Sequence, residues 1–307
     1  MSIINKSSKD NTYKFALMKF LLDYANQHKE STQISYITIA EKFLEYYWYQ
    51  ECKYKLKQDF KKKKLPTVIQ IIREHCGTDY IPESYAKYFD KHSKKRETMT
   101  KEILSKSLHD VIPRLQSNGV FEFYQHFHTL SPSKKKFRLP PKDKRYIILT
   151  AEAHHFFKEN YNELSKLLIF EWAKFLERTN FTPRLISKIE DLGLQKRNSL
   201  TKFRNILLEQ TDAHCFYCNT PLATKKIHVD HFIPWSYLYE DAIWNLVLSC
   251  EACNLKKSDH LPPEKCLQKL EDRNEIYHYN EYDKDLKKYY INCSKAGFLN
   301  RKEILCS

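Results

Sequence analysis

Four of the nine cysteines fall into two Cys-x-x-Cys pairs, Cys215/Cys218 and Cys250/Cys253, with 31 residues between them. Four thiolates delivered as two knuckles are enough for a closed tetrahedral metal site, and sulfur at this spacing favours zinc. A complete set leaves no open coordination position. Such an ion is structural: it ties together the two ends of the segment it encloses. A chain of 307 residues with an odd cysteine count does not resemble a small disulfide scaffold. The other five, Cys52, Cys76, Cys266, Cys293 and Cys306, are scattered and read as buried or idle thiols.

The enclosed segment has its own pattern. Residues 227–232 alternate as a strand does, placing His228 and Asp230 on one face and His231 on the other. Pro234 ends that strand, residues 246–248 form a second apolar strand, and a helix can begin at Glu251 after the second knuckle. The order is strand, long loop, strand, helix, a ββα unit.

These residues carry a likeness. Val-Asp-His-Phe-Ile-Pro-Trp at 229–235, Asn-Leu-Val-Leu at 245–248 and Cys-x-x-Cys-Asn-x-x-Lys at 250–257 resemble the HNH endonuclease family. The resemblance implies hydrolysis of DNA phosphodiesters to 5′-phosphate and 3′-hydroxyl ends. It implies that His231 is the general base, that Asp230 and Asn254 hold a catalytic Mg²⁺ or Mn²⁺, and that Asn245 braces the loop. The founding pattern has His where this chain has Asn254, whose carbonyl oxygen suits a hard cation. His260 is an alternative ligand. His228 shapes the site or contacts phosphate, and a surface strand residue without a role explains it about as well. Lys256 and Lys257 could touch the phosphate backbone, and a solvated helix face explains them nearly as well. Trp235 and Trp244 read as packing residues. Proteins of this size in the family often look like restriction or anti-phage effectors.

Composition supports a nucleic-acid partner without choosing among roles. The formal net charge is +14, with a pI near 9.2, and an excess of this size draws polyanions to the surface. Only four glycines occur, so no phosphate-cradling glycine loop is present and an ATPase is excluded. No stretch is apolar for long enough to span a membrane, and the polar first eleven residues lack the apolar core of a signal peptide, so a cytoplasmic protein is expected.

The expected fold class is α+β and mainly helical, with residues 1–180 a DNA-binding or regulatory, partner-binding domain and residues 181–307 the HNH domain with flanking helices. Helices are expected over 13–25, from a Thr38 cap to Tyr49, after Pro66 to Gly77, over 100–115, from a Thr150 cap to 177, after Thr182-Pro183 to Gly193, and over 198–209. The 150–177 helix carries a stripe including Phe156, Leu167, Leu168, Trp172 and Leu176. The Ser117-Asn118-Gly119 turn leads to a strand over 120–127, which can pair with a second over 146–149. Between them lie Lys134, Lys135, Lys136, Arg138, Lys142, Lys144 and Arg145, so the region could form a winged-helix-like module or a helical scaffold with an irregular hairpin. The N-terminal half could also engage a protein partner or a second copy. Two competing functions fit the charge and the cysteines: a zinc-ribbon nucleic-acid-binding protein without catalysis, and a nuclease subunit active only within a larger complex.

Overall fold

A computed structural model describes residues 12–30, 33–58, 65–79, 81, 83–116, 122–131, 136–191, 198–223, 226–279, 285–298 and 306. The fold is α+β, mainly helical, with small antiparallel sheets. The chain divides into two compact units, Met1–Asn180 with Leu185–Leu194, and Phe181–Arg184 with Gln195–Ser307. The basic run 61–64, the turn at 117–119, Lys134, Lys135 and Gly193 lie outside the described residues.

The first unit is built around α1 (Tyr13–Gln27), whose Phe15, Ala16, Leu17, Phe20, Leu21 and Leu22 are all buried. A helix apolar on most of its circumference must be enclosed, and α1 packs against helices on several sides. After β1 (Gln33–Ser35) comes α2 (Tyr36–Trp48), which buries Phe43, Tyr46, Tyr47 and Trp48. Its cap is Ser35 rather than Thr38: the Ser35 hydroxyl accepts from the Thr38 backbone N–H at 3.2 Å. The last strand residue is already extended, so its side chain reaches the orphan donors of the first turn. A π-helical turn, Tyr49–Lys53, follows. Next are α3 (Thr67–Cys76), which starts after Pro66 and stops at Gly77 with φ +79°, and α4 (Tyr85–Lys91).

The helix expected over 100–115 begins earlier, at Ser93. It runs as α5 (Ser93–Ile103), through a π-helical turn at Leu104–Leu108, into α6 (His109–Leu115). Its first two turns are almost entirely polar and charged, so apolar periodicity could not mark the start. Of the strand expected over 120–127, residues 120 and 121 lie outside the described residues, and within 122–127 the strand is β2 (Tyr124–Gln125). Gln116 supplies a reason, because its side-chain oxygen accepts from the N–H groups of Phe123 and Tyr124 and its amide donates to the Tyr124 carbonyl at 2.6 Å. The Phe123 N–H, which would extend the ladder past Tyr124, is thereby taken by a side chain. Within the connection, β3 (Thr129–Ser131) pairs with β4 (Lys136–Arg138). Then β5 (Tyr146–Leu149) pairs with β2 as expected and, on its other edge, with β1, giving the order β1-β5-β2.

The helix capped by Thr150 is two helices, α7 (Ala151–Glu159) and α8 (Tyr161–Glu177). The break falls at Asn160, whose side-chain amide donates to the Phe156 carbonyl at 2.9 Å and so competes with the helix. It also shifts the phase of the apolar stripe. Leu168, Trp172, Phe175 and Leu176 are buried, whereas Phe156 is 52% exposed. The helix expected directly after Thr182-Pro183 is α9 (Leu185–Glu190).

The second unit contains α10 (Thr201–Gln210), β6 (Ile227–His231), α11 (Trp235–Leu238), β7 (Leu246–Cys250), α12 (Glu251–Lys257), α13 (Lys265–Ile276) and α14 (Leu286–Lys295). Strands β6 and β7 are antiparallel, and α12 packs on both, completing the ββα unit. Its core includes Phe232, Ile233, Leu246, Leu261 and Leu270. From α13, the half-buried Arg273 guanidinium donates to the Leu246 carbonyl at 2.8 Å, and the Asn274 amide donates to the Trp244 carbonyl at 2.8 Å. This fixes the entry into β7. Burial lowers Arg273 only to about 10, so it stays charged near neutral pH. Of the five scattered cysteines, Cys266 and Cys306 are paired as a disulfide, while Cys52, Cys76 and Cys293 are not disulfide-bonded.

Candidate active site

The four knuckle cysteines converge. Their sulfur atoms all lie within 4.8 Å of one another, and Cys218 and Cys250 are 3.8 Å apart. Four sulfurs at about 2.3 Å from one zinc ion stand roughly 3.8 Å from each other, so the spacing fits a tetrahedral Cys₄ site. The sheet register explains how the second knuckle meets the first. Cys250 is the last residue of β7, opposite Ile227, and the Phe216 N–H donates to the Leu248 carbonyl at 2.8 Å, binding the first knuckle to that strand.

Strand alternation places His228 and Asp230 on one face of β6, and helical spacing places Asn254 and Lys257 on one face of α12. The two faces meet. The Asn254 side-chain nitrogen lies 3.5 Å from His228 Nδ1, and the Lys257 ammonium lies 3.3 Å from the Asp230 carboxylate. Asp230 also accepts a 2.6 Å hydrogen bond, at Oδ2, from the hydroxyl of Tyr217. Burial pushes the Tyr217 phenol well above its ordinary value, and the adjacent Asp230 charge pushes it further, so it remains a proton donor. Tyr217 sits between the knuckle cysteines, so the zinc loop holds the carboxylate directly.

His231, the last residue of β6, turns to the other face, where its Nε2 lies 2.8 Å from Asp241 Oδ1. With Nε2 carrying the proton toward that carboxylate, Nδ1 keeps the lone pair. The loop between the strands is closed by Asn245, which is fully buried. Its side-chain oxygen accepts from the Ile233 N–H at 2.8 Å, its amide donates to the Ile233 carbonyl at 2.9 Å, and its own carbonyl accepts from Phe232 N–H. These bonds set the backbone just past His231 and deliver Asp241, four residues before Asn245, to the imidazole.

Lys257 does not stand on the surface where a phosphate contact was expected. It is 1% exposed, and Asp230 draws its ammonium inward. Lys256, one residue earlier, is exposed on α12. His260, the alternative ligand, has its Nδ1 3.1 Å from the Lys257 carbonyl at the end of α12. Trp244 is buried, in line with packing. The sequence reading missed Tyr217 and Asp241. An aromatic between two knuckle cysteines reads as packing, and a loop acid ten residues from His231 has no periodic signal; only the loop closure by Asn245 brings it back.

A family model described as HNH endonuclease matches residues 215–263, which span both knuckles, β6, β7 and α12. This segment of the second unit is an HNH endonuclease domain. A second family model, Domain of unknown function (DUF8808), matches residues 1–188, more than half of the 307 residues, and the chain belongs to that family. No curated protein and no solved structure matches the chain.

Proposed function

We propose that the second unit is a metal-dependent endonuclease that hydrolyses DNA phosphodiesters and leaves 5′-phosphate and 3′-hydroxyl ends. The observation that carries this reading is the His231–Asp241 pair at 2.8 Å. A zinc ribbon that only bound nucleic acid would have no use for an imidazole locked by a carboxylate at the buried end of a strand.

His231 takes a proton from water at Nδ1, and Asp241 holds the ring in that tautomer and steadies the imidazolium that forms. Asn245 keeps the base at a fixed place relative to Asp230 through the Ile233 backbone. Asp230 and Asn254 are the residues to hold a divalent cation, which when bound would neutralise charge on the phosphate and the departing oxygen. The donor chemistry fits. Both offer oxygen, suited to Mg²⁺ or Mn²⁺, and the buried His228 Nε2 has no hydrogen-bond partner among the described residues, with the Glu251 carboxylate 4.0 Å away. His228 is placed to meet a phosphate oxygen or the cation, and exposed Lys256 to meet the backbone. Because Lys257 already balances Asp230, the protein alone offers the cation little net negative charge beyond the exposed Glu251 carboxylate, which is 4.0 Å from His228 Nε2 and 3.6 Å from the Lys226 ammonium. Phosphate oxygens supply it, so cation uptake is coupled to DNA.

Mn²⁺ titrated into His231→Ala protein and followed by electron paramagnetic resonance tests the assignment, since this variant spares the DNA. A short duplex should tighten Mn²⁺ binding, and Asp230→Asn or Asn254→Ala should each weaken it about 10- to 100-fold. Equal affinity in all three proteins would remove these residues from the cation site.

A further inference from the structure

The nuclease residues occupy only part of the second unit, and the first unit holds an arrangement they do not explain. Its helices α1, α2 and the continuous α5–α6 pack on one another, and its three-stranded sheet has the order β1-β5-β2. In chain order this is helix, strand, helix, then, after the insertion bearing α3 and α4, a third helix, a strand, a β-hairpin and the closing central strand. The third helix directly precedes the strand whose connection to β5 bears the hairpin. That is the connectivity of a helix-turn-helix with a wing. In such units the last helix of the trio enters the major groove with its N-terminal half.

The charges fall where that geometry needs them. Met99, Thr100 and Ile103 bury the inner side of α5, while Lys94, Arg96, Thr98 and Lys101 are exposed. The only exposed acid on that stretch, Glu97, is paired with Lys101. The second hairpin strand and the segment after it are more one-sided: residues 136–145 contain five Lys or Arg and a single acid, Asp143. Lys136 and Arg138 project from β4, both exposed. The hairpin is tied to the end of the helix, since the Arg114 guanidinium lies over the Phe137 ring at 5.5 Å. Helix and hairpin thus belong to one packed framework.

We infer that the first unit is a winged-helix module that binds duplex DNA, with the N-terminal half of α5 in the major groove and the β3–β4 hairpin on the phosphate backbone. The inference rests on the reading of DNA as substrate and adds where the duplex is held, apart from the site of cleavage.

The test is fluorescence anisotropy of the full-length, zinc-loaded His231→Ala protein with a labelled duplex, without added divalent metal, over a salt series. Two double variants are compared with it, Lys94→Ala/Arg96→Ala on the helix and Lys136→Ala/Arg138→Ala on the hairpin. All four side chains are exposed, and unchanged thermal melting confirms folding. Each double variant should bind the duplex roughly tenfold or more weakly and lower the slope of log affinity against log salt by about 1.8, two phosphate contacts at about 0.9 each. The unsubstituted surface should prefer duplex to single strand of the same length. Unchanged affinity and slope in both double variants, or equal binding of duplex and single strand, would overturn the inference. Neither outcome bears on cleavage: a wild-type protein that cuts DNA while both double variants bind normally retains the nuclease and loses the module.

Discussion

His231→Ala is expected to lose about 10²- to 10⁴-fold in the rate of plasmid cleavage, the usual worth of a positioned general base, while the protein keeps its fold and its zinc. The fold should survive because His231 closes the sheet at its last register position and hands the chain to Asn245, whose bonds to Ile233 do not involve the imidazole. Asp241, left without its partner, retains 17% side-chain exposure and can be solvated. Asp241→Asn is expected to lose less, roughly 10- to 100-fold, because the imidazole remains but its tautomer is no longer dictated by a carboxylate. Imidazole added to the buffer should restore part of the rate to His231→Ala and none to Asp230→Asn. A merely structural histidine would show no such rescue, and unchanged cutting by His231→Ala would take the residue out of the reaction.

Cys250→Ser is expected to be the most damaging single change to the second unit. Cys250 joins β7, the sulfur cluster and the start of α12, and it is buried. Zinc held by four thiolates is worth about 10–16 kcal/mol in small domains that have no other core. The second unit has a core of its own, so part of that figure is lost rather than all of it. The metal content should fall from one zinc per chain, and amide exchange should rise sharply across residues 215–257. Residues 13–27 and 36–48 should stay protected, since no knuckle cysteine contributes to that core. Cleavage should fall with the zinc, because Tyr217 holds Asp230 from within the first knuckle. Full zinc content with native exchange in Cys250→Ser would contradict the cluster.

The sequence made the ββα unit legible because its signals are local: four cysteines at fixed spacing, one alternating strand and a proline that ends it. The contacts that tune the site were not legible. Lys257 was read on the helix surface, and only the meeting of α12 with β6 shows that its ammonium turns in toward Asp230. Asp241 is invisible until Asn245 closes the loop. In the first unit the sequence leaves open both a winged-helix-like module and a helical scaffold with an irregular hairpin, because β1 lies over a hundred residues from its partner β5, and no short-range pattern reports a pairing that distant. Where local polar chemistry competed with periodicity, at Gln116 and Asn160, expected elements shortened or split.

The most direct measurement is incubation of zinc-loaded wild-type protein with supercoiled plasmid, with Mg²⁺ or Mn²⁺ added or omitted, followed by chemical mapping of the new termini. The account predicts that strands break only when one of these cations is supplied and that the breaks carry phosphate on the 5′ side and hydroxyl on the 3′ side. Breaks that form equally well with zinc alone, or termini of the opposite chemistry, would contradict it.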